Sequence, residues 1–374
     1  MTATATKPPA TTAAAPPQTG YLYGLDALRV IGAAIIVYTH LGQWIVAKRE
    51  RWPVGDFINT VTAPVHIRPD LDFIGVALFL LVSGVVTTKV SFREQPLDFL
   101  RRRAVRIMPP LWAALVIAYF IVGTGLVPEM TPQEAATVPQ LLNNLWFGAY
   151  FVPGGMILLP AIWTLLIQMV YFTYTGLTIP LLRRWPWLPS ALAATVITTV
   201  ISLVPQTYSS ALRTVVSFIP MIFIGQLISL AHTKKIRFDV AVLLGAIHLV
   251  LFIRADVVSK GIFRPGGGFE ICLLVMIGVV LVCMTANGPI ARSAFVKSVS
   301  KRTYSVYLMH LPVCFAAMTL LDKVIGTSWA ALVAIVSVVV ATELFYRLVE
   351  GPLERWLGKR SRRKRTADTH GKMA

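Results

Sequence analysis

Apolar residues gather along this chain into blocks of helix length, separated by shorter polar stretches. The blocks fall near residues 24–47, 71–88, 104–123, 160–182, 188–204, 211–231, 238–253, 269–286, 303–321 and 329–349. Each is about 16–24 residues long, enough to cross a hydrocarbon core of about 30 Å at 1.5 Å per residue with modest tilt or bilayer thinning. The pattern predicts an all-α polytopic membrane protein with about ten transmembrane helices. A further apolar segment, 141–152, is too short to span and lies in a long connection containing Pro and Gly. It is expected to be re-entrant or interfacial.

Composition agrees with the pattern and removes a competing reading. Of the 374 residues, 56% are hydrophobic and 14% charged, with a mean hydropathy of +0.68, whereas soluble domains carry about 25% charge. A net charge of +18 and a pI near 10.2 would point a soluble protein toward nucleic acid. Here the cations sit in short loops and a tail, so the expected partner is the lipid bilayer and not nucleic acid.

Their placement sets an orientation. If the N-terminus is cytoplasmic, the inner segments hold Arg101, Arg102, Arg103 and Arg106, then Arg183 and Arg184, then Lys234, Lys235 and Arg237, and finally the basic stretch from Arg355 to Lys372. The outer loop 124–159 has no Lys or Arg. Under the positive-inside rule this predicts both termini in the cytoplasm of a multi-pass protein of the plasma (inner) membrane. Residues 1–20, rich in Pro, Thr and Ala, are expected to be a disordered tail. Residues 21–356 are expected to form the transmembrane domain, and 357–374 a basic cytoplasmic tail touching anionic lipid. Cys272, Cys283 and Cys314 lie in apolar stretches without metal-ligand spacing, so no metal site is expected.

Ionisable groups inside spanning helices are expensive unless paired or wetted, which makes them the first candidates for chemistry. In LDALRVIGAAIIVYTHLGQ, Arg29 and His40 are eleven positions apart, a rise of about 16 Å that returns to the same helix face. Both are therefore expected to line one cavity, with Asp26 one turn before Arg29 to offset its charge. Taken alone, His40 also suits a hydrogen-bonded interior position and Arg29 a snorkelling one.

In FLRRRAVRIMPPLW, Arg103 and Arg106 share a face while Arg101 and Arg102 point elsewhere. Such a run is also the ordinary cytoplasmic flag of a helix. Arg106, however, is followed at once by Ile107, Met108, Pro109 and Pro110, and the prolines free backbone carbonyls one turn earlier. A pair of guanidinium groups facing the cytosol suits a phosphorylated donor. Weaker candidates are Tyr307 and His310 in YSVYLMHLP and Glu350 in LVEGP, with His310 expected to play a packing role.

The segments LDALRVIGAAIIVYTH, FIGVALFLLVSGVV, FLRRRAVRIMPPLW, IWTLLIQMVYF, YSVYLMHLPV and FYRLVEGP occur in that order. Together they resemble the acyltransferase family 3 of membrane proteins over about residues 21–356. The resemblance implies a ten-helix core that moves an acyl group, commonly acetyl, from an acyl-CoA to a hydroxyl of a sugar, glycolipid, polysaccharide or secondary metabolite. Acyl-CoA is then a donor substrate, and no tightly bound cofactor is expected. The family's functional residues map onto Arg29, His40, Arg103 and Arg106, with His40 as base or acyl relay. At Trp163, Thr164 and Leu165 the chain departs from the family's Trp-Ser-Leu, and Gln168 stands at its acidic position. The chain ends soon after the tenth predicted helix, so the extracellular hydrolase-like domain that some relatives of the family carry is not expected. The rival class is a transporter of a polar or acylated small molecule, with Arg29 and His40 on its pathway.

Overall fold

In the computed structural model the described residues are 21–65, 71–127, 136–152, 155–203, 210–259 and 268–358, so the tails expected at 1–20 and beyond 358 lie outside them. Among the described residues there is no strand, and a helix stands at each predicted apolar block. These are α1 (Tyr23–Ala47), α3 (Asp72–Ser91), α4 (Pro96–Gly123), α6 (Trp163–Arg184), α7 (Leu188–Leu203), α8 (Ser210–His232), α9 (Phe238–Ser259), α10 (Phe269–Thr285), α13 (Thr303–Ile325) and α14 (Thr327–Phe345). Eight have the length and apolarity of a membrane span, while α7 and α10, with 16 and 17 residues, are shorter.

The apolar surface is arranged for lipid. On α14, Ala330, Ala334 and Val338 are buried against the neighbouring helix, while Leu332, Val336 and Val339 are exposed. A helix apolar on both its buried and its exposed sides belongs in a bilayer. Helices approach most closely where small residues allow it, as at α3 and α8. A Cβ built on Gly84 would lie 2.1 Å from the Ile222 carbonyl oxygen, and one on Gly225 would lie 2.2 Å from that of Leu81.

Short helices between the long ones were not expected from periodicity: α2 (Pro53–Thr62), α11 (Pro289–Arg292) and α12 (Ala294–Ser300). The 141–152 segment contributes α5 (Val138–Asn144), far too short to span, and a 3-10 turn at Gly148–Tyr150. Buried Asn144 holds it to the following chain by donating to Met156 O at 2.8 Å and accepting from Leu158 N at 3.0 Å.

One boundary needs correction. The third long helix, expected over 104–123, begins at Pro96 and takes in the whole arginine run. Extended Gln95 precedes it, Pro96 supplies a preset φ in the first turn, and Asp98 meets the positive end of the helix dipole. The helix also continues through Pro109 and Pro110.

Candidate functional site

The α1 face predicted from residue spacing exists, but it serves two spaces instead of one. His40 lies on the wall of a cavity of about 1260 Å³ that also contacts Thr39, Gln43, Trp52, Asp56, Trp163 and Tyr307. Arg29 lies in an adjoining slot of about 30 Å³ with Gly32, Val82 and Thr303. The expectation that Arg29 and His40 share one cavity is therefore corrected. Helical rise separates their Cα atoms by about 16 Å, and the side chains of Ile36, Phe79 and Tyr307, which belong to both linings, stand between the two spaces.

Around Arg29 the charge bookkeeping is local. Its Nη1 pairs with Asp26 Oδ1 at 3.1 Å. Buried Asp26 also accepts from the Tyr21 hydroxyl at 2.5 Å and from Ser300 Oγ at 2.9 Å. Burial and the bond to Asp26 push the Tyr21 phenol up to about 12, so it remains a donor at neutral pH. Asp26 is thus an anchor for three donors, one of them 274 positions away, and fixes where the guanidinium stands.

His40 Nδ1 lies 3.0 Å from Gln43 Oε1. A carboxamide oxygen only accepts, so Nδ1 carries the proton and Nε2 keeps its lone pair, the state a general base requires. The ring of His310 lies 5.2 Å from that of His40, centroid to centroid. His310 is buried, and its Nδ1 is 2.8 Å from Tyr307 O and 3.1 Å from Val306 O. Those carbonyls fix the proton on Nδ1, while Nε2 has no hydrogen-bond partner among the described residues. Nothing in residue spacing brings these histidines together, since they stand on separate helices 270 positions apart.

Arg103 and Arg106 are each engaged by a carboxylate. Arg103 Nη1 is 3.3 Å from Glu94 Oε2, which puts it beside Arg102, 2.9 Å from the other oxygen of the same group. The Arg103 guanidinium also stacks 4.0 Å over the Phe99 ring. Arg106, more exposed, is 3.4 Å from Glu354 Oε1. Arg102 therefore does not point away from Arg103 as expected, because both reach the same carboxylate. Two carboxylates, Glu94 and Glu354, hold this cluster of guanidinium groups. Glu94 and Glu354 escaped the sequence reading because nothing in spacing reveals a partner across helices. Pro109 and Pro110 leave Val105 O and Arg106 O without their usual amide donors, and the Tyr304 hydroxyl donates to the next carbonyl, Ile107 O, at 2.9 Å.

The secondary candidates separate. Tyr307 and Trp163 line the large cavity. The Tyr307 hydroxyl donates to Ala161 O and lies 3.0 Å from Thr164 Oγ1, which ties α13 to the start of α6. Gln168 is buried away from both spaces and accepts from Ser83 Oγ at 3.3 Å. Glu350 is also buried outside them and accepts from Ser305 Oγ at 2.5 Å. Residues missed earlier are Trp52, Asp56 and Asn59 of the α2 segment, and Tyr150, all on the cavity wall. The Trp-Pro pair at 52–53, a helix-start signal, was the cue for the first three.

The helix bundle thus holds an aromatic and acidic cavity with His40 on its wall and, elsewhere, a cluster of arginines paired with Glu94 and Glu354. The acyltransferase domain family matches residues 22–347. The exopolysaccharide production protein ExoZ of Rhizobium meliloti (strain 1021) is 24% identical over 298 residues, covering 75% of this chain and 89% of that protein. No solved structure matches. Because the matched span runs from α1 through α14 and carries the Arg29–His40 face, the arginine run and the Tyr307 segment, the chain belongs to acyltransferase family 3 and is a polytopic membrane acyltransferase.

Proposed function

We propose that this acyltransferase moves an acyl group, acetyl first among them, from a cytosolic acyl-CoA to a hydroxyl of a sugar, glycolipid, polysaccharide or secondary metabolite. The observation that carries the reading is His40, with its Nε2 lone pair available, on the wall of a 1260 Å³ cavity. That space suits a sugar-sized acceptor, and Trp52, Trp163 and Tyr38 beside Asp56 and Asn59 offer ring faces and hydrogen-bond acceptors of the kind polyols use. The name of the relative, exopolysaccharide production, is in keeping with such an acceptor.

In this reading Arg103 and Arg106 take the phosphates of the donor in place of Glu94 and Glu354. His40 Nε2 removes the acceptor hydroxyl proton as the oxygen attacks the thioester carbonyl. The C–O bond forms, the C–S bond breaks, and the proton passes to the departing thiolate as coenzyme A leaves. Attack by Nε2 itself, giving an acyl-histidine that the hydroxyl then cleaves, uses the same atoms. Arg29, about 16 Å along the helix from His40, is too distant to touch the thioester oxygen there. Its role is to hold the donor on its way. The Lys/Arg placement supports a plasma-membrane location with both termini in the cytoplasm, the arginine cluster inside and the cavity outside.

The direct test is thermal unfolding of the purified protein with and without coenzyme A. A ligand at 100 times its Kd stabilises the folded state by about 2.7 kcal/mol, so a clear upward shift is expected. Absence of any shift at saturating coenzyme A, together with no change in acylated lipids and glycans on deletion of the gene, would overturn the reading.

A further inference from the structure

The slot and the cavity share the side chains of Ile36 from α1, Phe79 from α3 and Tyr307 from α13. Ile36 stands seven positions after Arg29 and four before His40, so the shared ring lies about 10 Å above one and about 6 Å below the other. On the Arg29 side the space is about 30 Å³, room for only about one or two water molecules. On the His40 side it is about 1260 Å³.

The three members differ in how firmly they are held. Tyr307 is buried and pinned through its hydroxyl to Ala161 O and Thr164 Oγ1. Ile36 is backed by Gly75, where a Cβ would lie only 3.0 Å from Ile36 Cγ1. Phe79, partly buried like Ile36, packs against the hydrophobic core and stacks on Tyr307 at 5.9 Å with an interplanar angle of 14°. As a hydrocarbon ring it has no polar anchor, and it borders the open cavity.

We propose that Ile36, Phe79 and Tyr307 form an aperture through which the acyl end of the donor reaches His40, and that this aperture selects short unbranched acyl groups over branched and aromatic ones. The inference rests on the acyl-CoA reading above and adds the residues that set donor specificity. A slender chain passes when Phe79 rotates away from Tyr307 into the cavity. A group branched next to its carbonyl must also displace Ile36, which lies close against Gly75, or Tyr307, which is hydrogen-bonded to Ala161 O and Thr164 Oγ1. Discrimination by apolar walls against one extra methyl group is about tenfold or more.

The test uses inverted vesicles from cells expressing the full chain. Initial release of coenzyme A thiol is measured from acetyl-, propionyl-, isobutyryl- and benzoyl-CoA, each corrected by vesicles from cells that lack the protein. The wild type is expected to favour acetyl and propionyl over isobutyryl and benzoyl by about tenfold or more. Phe79→Ala should raise the isobutyryl-to-acetyl rate ratio by about tenfold, and Ile36→Ala should raise it by a smaller factor. Ile36→Ala, on another helix, keeps the test decisive if Phe79→Ala does not insert stably. No release above the background of vesicles lacking the protein, with any donor, would sink the acyl-CoA reading itself. Release from acetyl-CoA with donor ratios unchanged in the stably inserted variants would overturn the aperture alone.

Discussion

At the scale of single residues, the site is governed by which atom of each imidazole carries the proton. Gln43 keeps the His40 proton on Nδ1, and the carbonyls of Val306 and Tyr307 do the same for His310. Only His40 opens onto the cavity. His40→Ala is therefore expected to lower acyl transfer by about 10²–10⁴-fold, the usual contribution of a positioned base. Coenzyme A stabilisation in thermal unfolding should remain, because the arginine cluster lies well away from His40. His310→Ala leaves a void behind the His40 ring and should cause a smaller loss that tracks lowered thermal stability. Should His310→Ala be inactive yet stably inserted while His40→Ala still transfers, the base belongs to α13. The Arg29–His40 alignment was legible from helical period alone. The His40–His310 contact was not, because period says nothing about which helix lies opposite.

Among the elements, α4 and the α3–α8 pair decide most. Helix α4 starts at Pro96, so the arginine run is rigid helix and not a loop, and Arg103 and Arg106 project at fixed spacing. Arg103→Ala and Arg106→Ala should each weaken coenzyme A binding, read as a smaller thermal shift, and Lys should rescue only partly because it lacks the planar fork. Arg101→Ala, at an exposed position with neither of those carboxylates, should leave the shift nearly unchanged. Equal losses at all three would mark the run as a topology signal only. The α3–α8 contact depends on bare backbone at Gly84 and Gly225. Gly225→Ala forces a methyl group to 2.2 Å from the Leu81 carbonyl oxygen and should destabilise the protein by about 1–3 kcal/mol. Wild-type thermal stability in that variant would refute this packing.

For the whole molecule, the two ends carry different chemistry. One end gathers Glu94 with Arg102, Arg103 and Arg183, and Arg106 with Glu354. The cavity with Trp52, Asp56 and Tyr150 draws on segments that the positive-inside rule places on the opposite face. That orientation predicts that a cysteine at exposed Ser328 reacts with an impermeant thiol reagent in intact cells, while one at exposed Lys297 reacts only after permeabilisation. Labelling of both from outside would refute both the orientation and the helix count behind it.

By itself the sequence determined the class of solvent, the all-α architecture, the positions of the long helices and the face shared by Arg29 and His40. Each of these follows from local hydropathy, charge placement or the 3.6-residue period, which act within a single segment. The tertiary structure alone decided that Arg29 and His40 open onto separate spaces, that Ser300 reaches Asp26, that Glu94 and Glu354 hold the arginines, and that Ile36, Phe79 and Tyr307 meet. Those contacts join helices far apart in the chain, and the close approaches that set them depend on small residues and buried polar atoms whose partners become defined only when the helices pack.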